Sequence, residues 1–249
     1  MPRYRLDIEY DGAPFCGWQR QAHSPSVQQA VEDAIESFAH HPVRLHAAGR
    51  TDTGVHAEGQ VAHVDLARDW EAETVRRALN AALLRSGEPV AIRASERVGD
   101  DFHARFSATE RHYRYTILDR HWPATTERHV VWWVPCRHPL DTVAMSDAAT
   151  HLLGRHDFTT FRAAQCQADS PVRTLDRLDI AREETRIVVR ASARSFLHHQ
   201  VRSMVGALKQ VGTGRWTPAD VGDALAARDR TRCPAMAPPG GLCLTGVDY

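Results

Sequence analysis

The strongest constraint on this chain is a periodic stretch near its start. Val27, Ala30, Val31, Ala34, Ile35 and Phe38 recur at the spacing that puts apolar side chains on one face of a helix. Ser26, with Gln29 three residues on, is a capping-box start, and Pro42 closes the segment. Such a face must be buried against another layer. The flanking sequence offers strands at 3–10 (RYRLDIEY), 43–48, 60–66 and 90–97. A second helix is expected over 71–84, with Val75, Ala78, Leu79, Ala82 and Leu83 on one face. The first hundred residues therefore read β-α-β-β-α-β, an α+β unit with an antiparallel or mixed sheet.

The second half repeats this order loosely. Strands are expected at 111–118, 130–134, 173–182 and 186–193. Helices are expected at 141–152, at 196–211 and after Thr217-Pro218, where proline suits the first helical position. A Pro/Gly-rich loop covers 231–241 and a last strand 242–249. The expected fold class is α+β, with two subdomains, residues 1–106 and 107–249. No flexible linker separates them, so a central cleft is the expected binding site.

Composition removes several functions. No apolar run approaches the roughly 20 residues of a membrane span. The start, MPRYRLDIEYDG, lacks the apolar core of a secretory signal. Cys16, Cys136, Cys166, Cys233 and Cys243 never form C-x-x-C, which points to a reducing cytoplasm rather than a disulfide framework or zinc ribbon. Lys209 is the only lysine and no G-x-x-x-x-G-K occurs, so P-loop chemistry is excluded. The chain is neutral overall, yet residues 185–219 hold five arginines, Lys209, His198 and His199 with no acid. That run reads as a folded basic surface able to attract a polyanion.

The densest polar cluster is AAGRTDTGVHA at 47–57, between two expected strands. Glycines there permit tight turns and close ligand approach. Arg50 and Asp52, two apart, can pair or converge on one ligand. An Asp-Thr-Gly run is also a common turn in which the carboxylate serves its own backbone. Other chemistries lack their parts. No H-E-x-x-H, zinc-spaced Cys/His cluster, G-x-S-x-G or G-x-G-x-x-G is present. His198 and His199, adjacent on an expected helix, should face different ways. A loop carboxylate, arginines and aromatics such as Tyr113 and Tyr115 remain. A carboxylate can attack a sugar or an electron-poor base, and an aromatic can stack a flipped one.

AAGRTDTGVHA resembles the signature loop of the tRNA pseudouridine synthase A family. Further segments resemble that family in order: IEYDGAPFCGWQRQ (8–21), SVQ (26–28), DDFHARFSATERHYRY (100–115), LLGRHDFTTFRA (152–163), FLHHQVRSMVG (196–206) and GLCLTGVDY (241–249). The resemblance spans essentially the whole chain. It implies two α+β domains joined across a central cleft, a cytoplasmic homodimer, and no metal or cofactor. It implies a tRNA partner, no membrane, and conversion of uridine to pseudouridine at positions 38, 39 and 40 of the anticodon stem-loop. By the same resemblance Asp52 is the nucleophile. Arg50, Tyr113, His199, Arg202 and Leu242 contact substrate or support the site, and Arg202 is the expected charge partner of Asp52. Thr53 stands where the family often has alanine, and AALLRSGEPVAI (81–92) replaces a shorter turn. Two other readings carry weight: an RNA-binding protein without catalysis, and a carboxylate-based nucleic-acid hydrolase. The hydrolase would usually want a metal and clustered acids.

Overall fold

A computed structural model describes residues 1–249. The elements in chain order are β1 (Arg3–Tyr10), α1 (Val27–Ala39), β2 (His46–Ala47), β3 (His56–Asp65), α2 (Ala72–Ser86) and β4 (Val90–Val98), then β5 (Glu110–Leu118) and β6 (Trp132–Trp133). They continue with α3 (Thr142–Thr150), β7 (Gly154–Asp157), β8 (Val172–Leu175), β9 (Arg177–Glu183), β10 (Arg186–Ala193), α4 (Gln200–Gly212), α5 (Pro218–Ala227) and β11 (Leu242–Asp248). Two compact units result: Met1–Thr109 with Cys243–Tyr249, and Glu110–Leu242. A single cut near residue 106 differs from this division at the C-terminus. Cys243 and Leu244 pair in parallel with His56 and Ala57 of β3, which carries the end of the chain back to the first unit.

In the first unit β1 lies between β3 and β4, antiparallel to both, and β2 adds to β3. With β11 the sheet is mixed. The alternation in β1 buries Tyr4, Leu6, Ile8 and Tyr10 on one side. α1 and α2 pack on each other, and α2 covers β4. The expected start of α1 is present, with the Ser26 hydroxyl accepting the Gln29 N–H at 3.3 Å. α2 ends at Gly87, whose positive φ of 71° closes the helix. β3 starts earlier than its apolar run, because Ala57 still pairs with Tyr10 of β1.

In the second unit β10 lies between β5 and β9, antiparallel to both, and β6 runs parallel to β5. α3 packs on α4, α5 and β9. The single strand expected at 173–182 is two. It breaks at Asp176, whose N–H bonds Ser192 of β10, while β8 pairs with β7 instead. α5 starts with a full capping box between Thr217 and Asp220.

Candidate active site

The loop at 48–55 is held residue by residue. The Ala48 N–H donates to the Val61 carbonyl (2.7 Å), and the buried Gln60 amide donates to the Gly49 carbonyl (2.8 Å). The Thr51 carbonyl accepts the Trp18 N–H (3.1 Å), and its hydroxyl lies 2.8 Å from the Tyr10 hydroxyl. The Val55 N–H closes a turn on the Asp52 carbonyl (3.1 Å), and the Gly54 N–H reaches Phe15 (3.3 Å). Burial pushes the Tyr10 hydroxyl well above its ordinary pKa, against hydrogen bonds from Thr51 and Gln60. Tyr10 therefore stays a neutral hydrogen-bonding phenol.

The partner of this loop is the stretch from Tyr10 to Trp18. A Cβ on Gly17, at φ 92°, would stand 2.8 Å from the Thr51 carbonyl oxygen; one on Gly12 would stand 2.0 Å from that of Val55. Both positions need a residue without a side chain because backbone meets backbone there. Gly12 also donates its N–H to Nδ1 of His56 at 3.1 Å. The outcome is a rigid turn with Asp52 half-buried and Arg50 exposed. The two expected residues share one braced loop. The bracing residues Tyr10, Gly12, Gly17, Trp18 and Gln60 were not singled out by the sequence reading. Their signal was the pair of glycines in IEYDGAPFCGWQ.

In the second unit Tyr113 sits in β5 opposite Ala191, half-buried and edge-on to Phe196 at 5.3 Å. Arg202 is buried in α4. Its Nε donates to the Ala237 carbonyl (2.9 Å), and its own carbonyl accepts the Ala237 N–H (3.1 Å). This segment lies so close to α4 that a Cβ on Gly206 would be 2.4 Å from the Ala235 oxygen. The Tyr115 hydroxyl, two residues after Tyr113, donates to Pro238 (2.8 Å). Gly241 lies against the Tyr115 ring, where a Cβ would come within 2.6 Å, and Leu242 follows, buried. Burial raises the Tyr115 pKa, with the Arg202 charge opposing it. Tyr113, Arg202 and the approach to Leu242 are thus carried on one framework. Tyr115 is its buried anchor and Tyr113 its more open neighbour.

Two expectations change here. The helix starts at Gln200 rather than 196, because His199 turns the backbone left-handed (φ 65°) as its N-cap. His198 and His199 precede the helix, and their rings lie 3.9 Å apart rather than diverging. The acid-free run at 185–219 is acid-free only along the chain. Arg186 pairs with Glu127 (2.5 Å) and Arg190 with Glu183 (3.3 Å), while most of α4 is core. The charge of β10 is answered from the neighbouring strand β9 and from the loop that follows β5, which linear sequence does not display.

The family model for "tRNA pseudouridine synthase" matches residues 8–107 and 148–249. A protein of Mesorhizobium japonicum named tRNA pseudouridine synthase A is 64% identical over 249 residues, covering 100% of both chains. Proteins of the same name from Sinorhizobium fredii (55% identical, 100% of both chains) and Paramagnetospirillum magneticum (58%, 100% of this chain and 96% of that one) are also similar. Among solved structures, a chain of a Cbf5-Nop10-Gar1 complex aligns with 97% of this chain and 48% of its own, at 12% identity and a TM-score of 0.40. With the family match covering most of its length and full-length relatives above half identity, the chain belongs to the tRNA pseudouridine synthase family, whose members are isomerases.

Proposed function

We propose that this chain converts uridine to pseudouridine at positions 38, 39 and 40 of the tRNA anticodon stem-loop, with Asp52 as nucleophile. The observation that carries the reading is the bracing of the Asp52 loop. A turn that only connects two strands has no need of a second segment packed backbone to backbone against it. Fixing a carboxylate this way removes orientational freedom before substrate arrives, which is how positioning lowers a barrier.

The reaction is an isomerisation. The N1–C1′ bond breaks, C5 bonds to C1′, and the C5 proton leaves as N1 gains one, so no electrons enter or depart. Asp52 attacks C1′ of the ribose or C6 of the ring. The target base must first leave the helix stack, at a cost of a few kcal/mol. Arg50, exposed beside Asp52, is suited to fill the vacated space. Arg202 contributes positive charge toward the anionic substrate. Leu242 gives an apolar wall against which a detached base turns, and Tyr113 accepts the C5 proton. His199 contacts phosphate. A homodimer working in the cytoplasm without metal or organic cofactor completes the proposal; no helix is long and apolar enough to cross a membrane.

The test is tritium release from tRNA carrying 5-³H-uridine, comparing the parent with Asp52→Ala. Release by the parent alone supports the reaction and its carboxylate. Release by both removes Asp52 as nucleophile. No release by either, on tRNA shown to bind, favours RNA binding without catalysis.

A further inference from the structure

We propose that the loop from Asp119 to Val131 is a second RNA-docking surface, on which an unpaired nucleobase of the tRNA stacks against Trp122. The inference rests on the tRNA reading above. Trp122 keeps 59% of its surface exposed, unusual for the largest apolar side chain on a connecting loop. The Arg120 guanidinium lies over the ring at 5.1 Å. That cation is itself fixed, since its Nε donates to the Trp122 carbonyl and its Nη2 to that of Pro123, both at 3.2 Å. The Trp133 indole N–H donates to the Arg120 carbonyl (2.9 Å), and the Asp119 N–H to Thr185 (3.0 Å). An exposed indole on such a pinned backbone binds a flat partner at little ordering cost.

Charge selects the partner. The loop has two acids, and each is answered from outside it: Asp119 by Arg182 (2.9 Å) and Glu127 by Arg186 (2.5 Å). Arg120 and Arg128 then leave the surface positive, with His121 and His129 exposed beside them. An aromatic ring among guanidinium groups fits a polyanion whose bases can stack, and sequence-tolerant stacking of this kind is typical of unpaired RNA. The loop lies within 108–147, between the two stretches matched by the family model, so it is additional to what that model describes.

The experiment measures binding of unmodified tRNA at fixed salt, apart from turnover, for the full-length parent, Trp122→Ala, Trp122→Phe and Arg128→Glu. Trp122→Ala is expected to weaken binding about ten-fold, with kcat at saturating tRNA within about two-fold of the parent. Trp122→Phe should recover most of the loss, and Arg128→Glu should reduce the salt dependence of binding. Equal affinity of Trp122→Ala and the parent would overturn the proposal. So would a change in oligomeric state with affinity unchanged, which would make the loop an interface between copies. A parent that binds tRNA without isomerising it would sink the functional reading while leaving the Trp122 comparison decisive.

Discussion

The Tyr10 hydroxyl lies 2.8 Å from Oγ1 of Thr51, and both residues are buried. Thr51 precedes Asp52, so this bond ties the central β1 strand to the proposed nucleophile. Tyr10→Phe removes the bond and leaves a buried hydroxyl short of a partner, at about 1–2 kcal/mol. The expected result is a lower kcat with tRNA affinity unchanged. If single-turnover rates of Tyr10→Phe equal those of the parent, the bond does not position the loop.

Gly17 and Gly87 separate backbone strain from packing. Both have positive φ, 92° and 71°, but a Cβ at Gly87 meets open space and one at Gly17 meets the Thr51 carbonyl oxygen at 2.8 Å. Each alanine costs about 1–2 kcal/mol for the left-handed backbone. Only Gly17→Ala also displaces the Asp52 turn, and a displacement of about 1 Å can cost on the order of 100-fold in rate. Gly17→Ala is therefore expected to lose at least about ten-fold in kcat, with Gly87→Ala near parental activity. Similar activity in the two variants would show that the close approach does not shape the turn.

Asp119 anchors the base of the Trp122 loop. Its fully buried carboxylate receives Arg182 through Nη1 (3.0 Å) and Nη2 (2.9 Å) and the Leu140 N–H at 2.9 Å. Removing one partner of a buried pair leaves the other uncompensated, typically at about 3–5 kcal/mol. Arg182 is part-exposed, so solvent screening puts Asp119→Ala at the lower end. Urea unfolding should show it, and a loss under about 1 kcal/mol would mean that water replaces the carboxylate at no cost.

What the sequence disclosed follows from where each signal resides. The helix α1 was legible because its apolar spacing, cap and stop are local, and α2 through its apolar spacing alone. β7 was not, because GRHD has no apolar alternation and becomes a strand only through its ladder with β8. Asp52 became a definite candidate only by resemblance to a family, since an Asp-Thr-Gly turn in isolation looks ordinary. The braces around it were hidden by distance along the chain. Tyr10 and Thr51 are separated by 41 positions, and nothing local to either announces the other. The ion pairs of Arg186 and Arg190 are hidden in the 185–219 run for the same reason, because Glu127 and Glu183 lie outside it.

His63 makes stability depend on pH. It is buried, stacked on His46 at 5.0 Å and edge-on to His103 at 4.6 Å, and its Nδ1 accepts the Ala104 N–H at 3.1 Å. Burial first, then His103, Arg3 and His46, lower its pKa to about 4, with Asp65 opposing. His103 is lowered by the same kinds of neighbour, and its Nδ1 accepts the Arg105 and Phe106 N–H groups. A histidine that titrates near 6.5 when unfolded and near 4 when folded binds its proton preferentially in the unfolded chain. Its stabilisation is therefore complete above about pH 6.5 and is lost as pH falls from there toward 4. Each pKa unit corresponds to about 1.4 kcal/mol. His63→Asn keeps an acceptor for Ala104 and removes the titration, so its unfolding free energy should fall less steeply between about pH 6.5 and 5 than that of the parent. Identical slopes in urea titrations across that window would exclude His63 as the source.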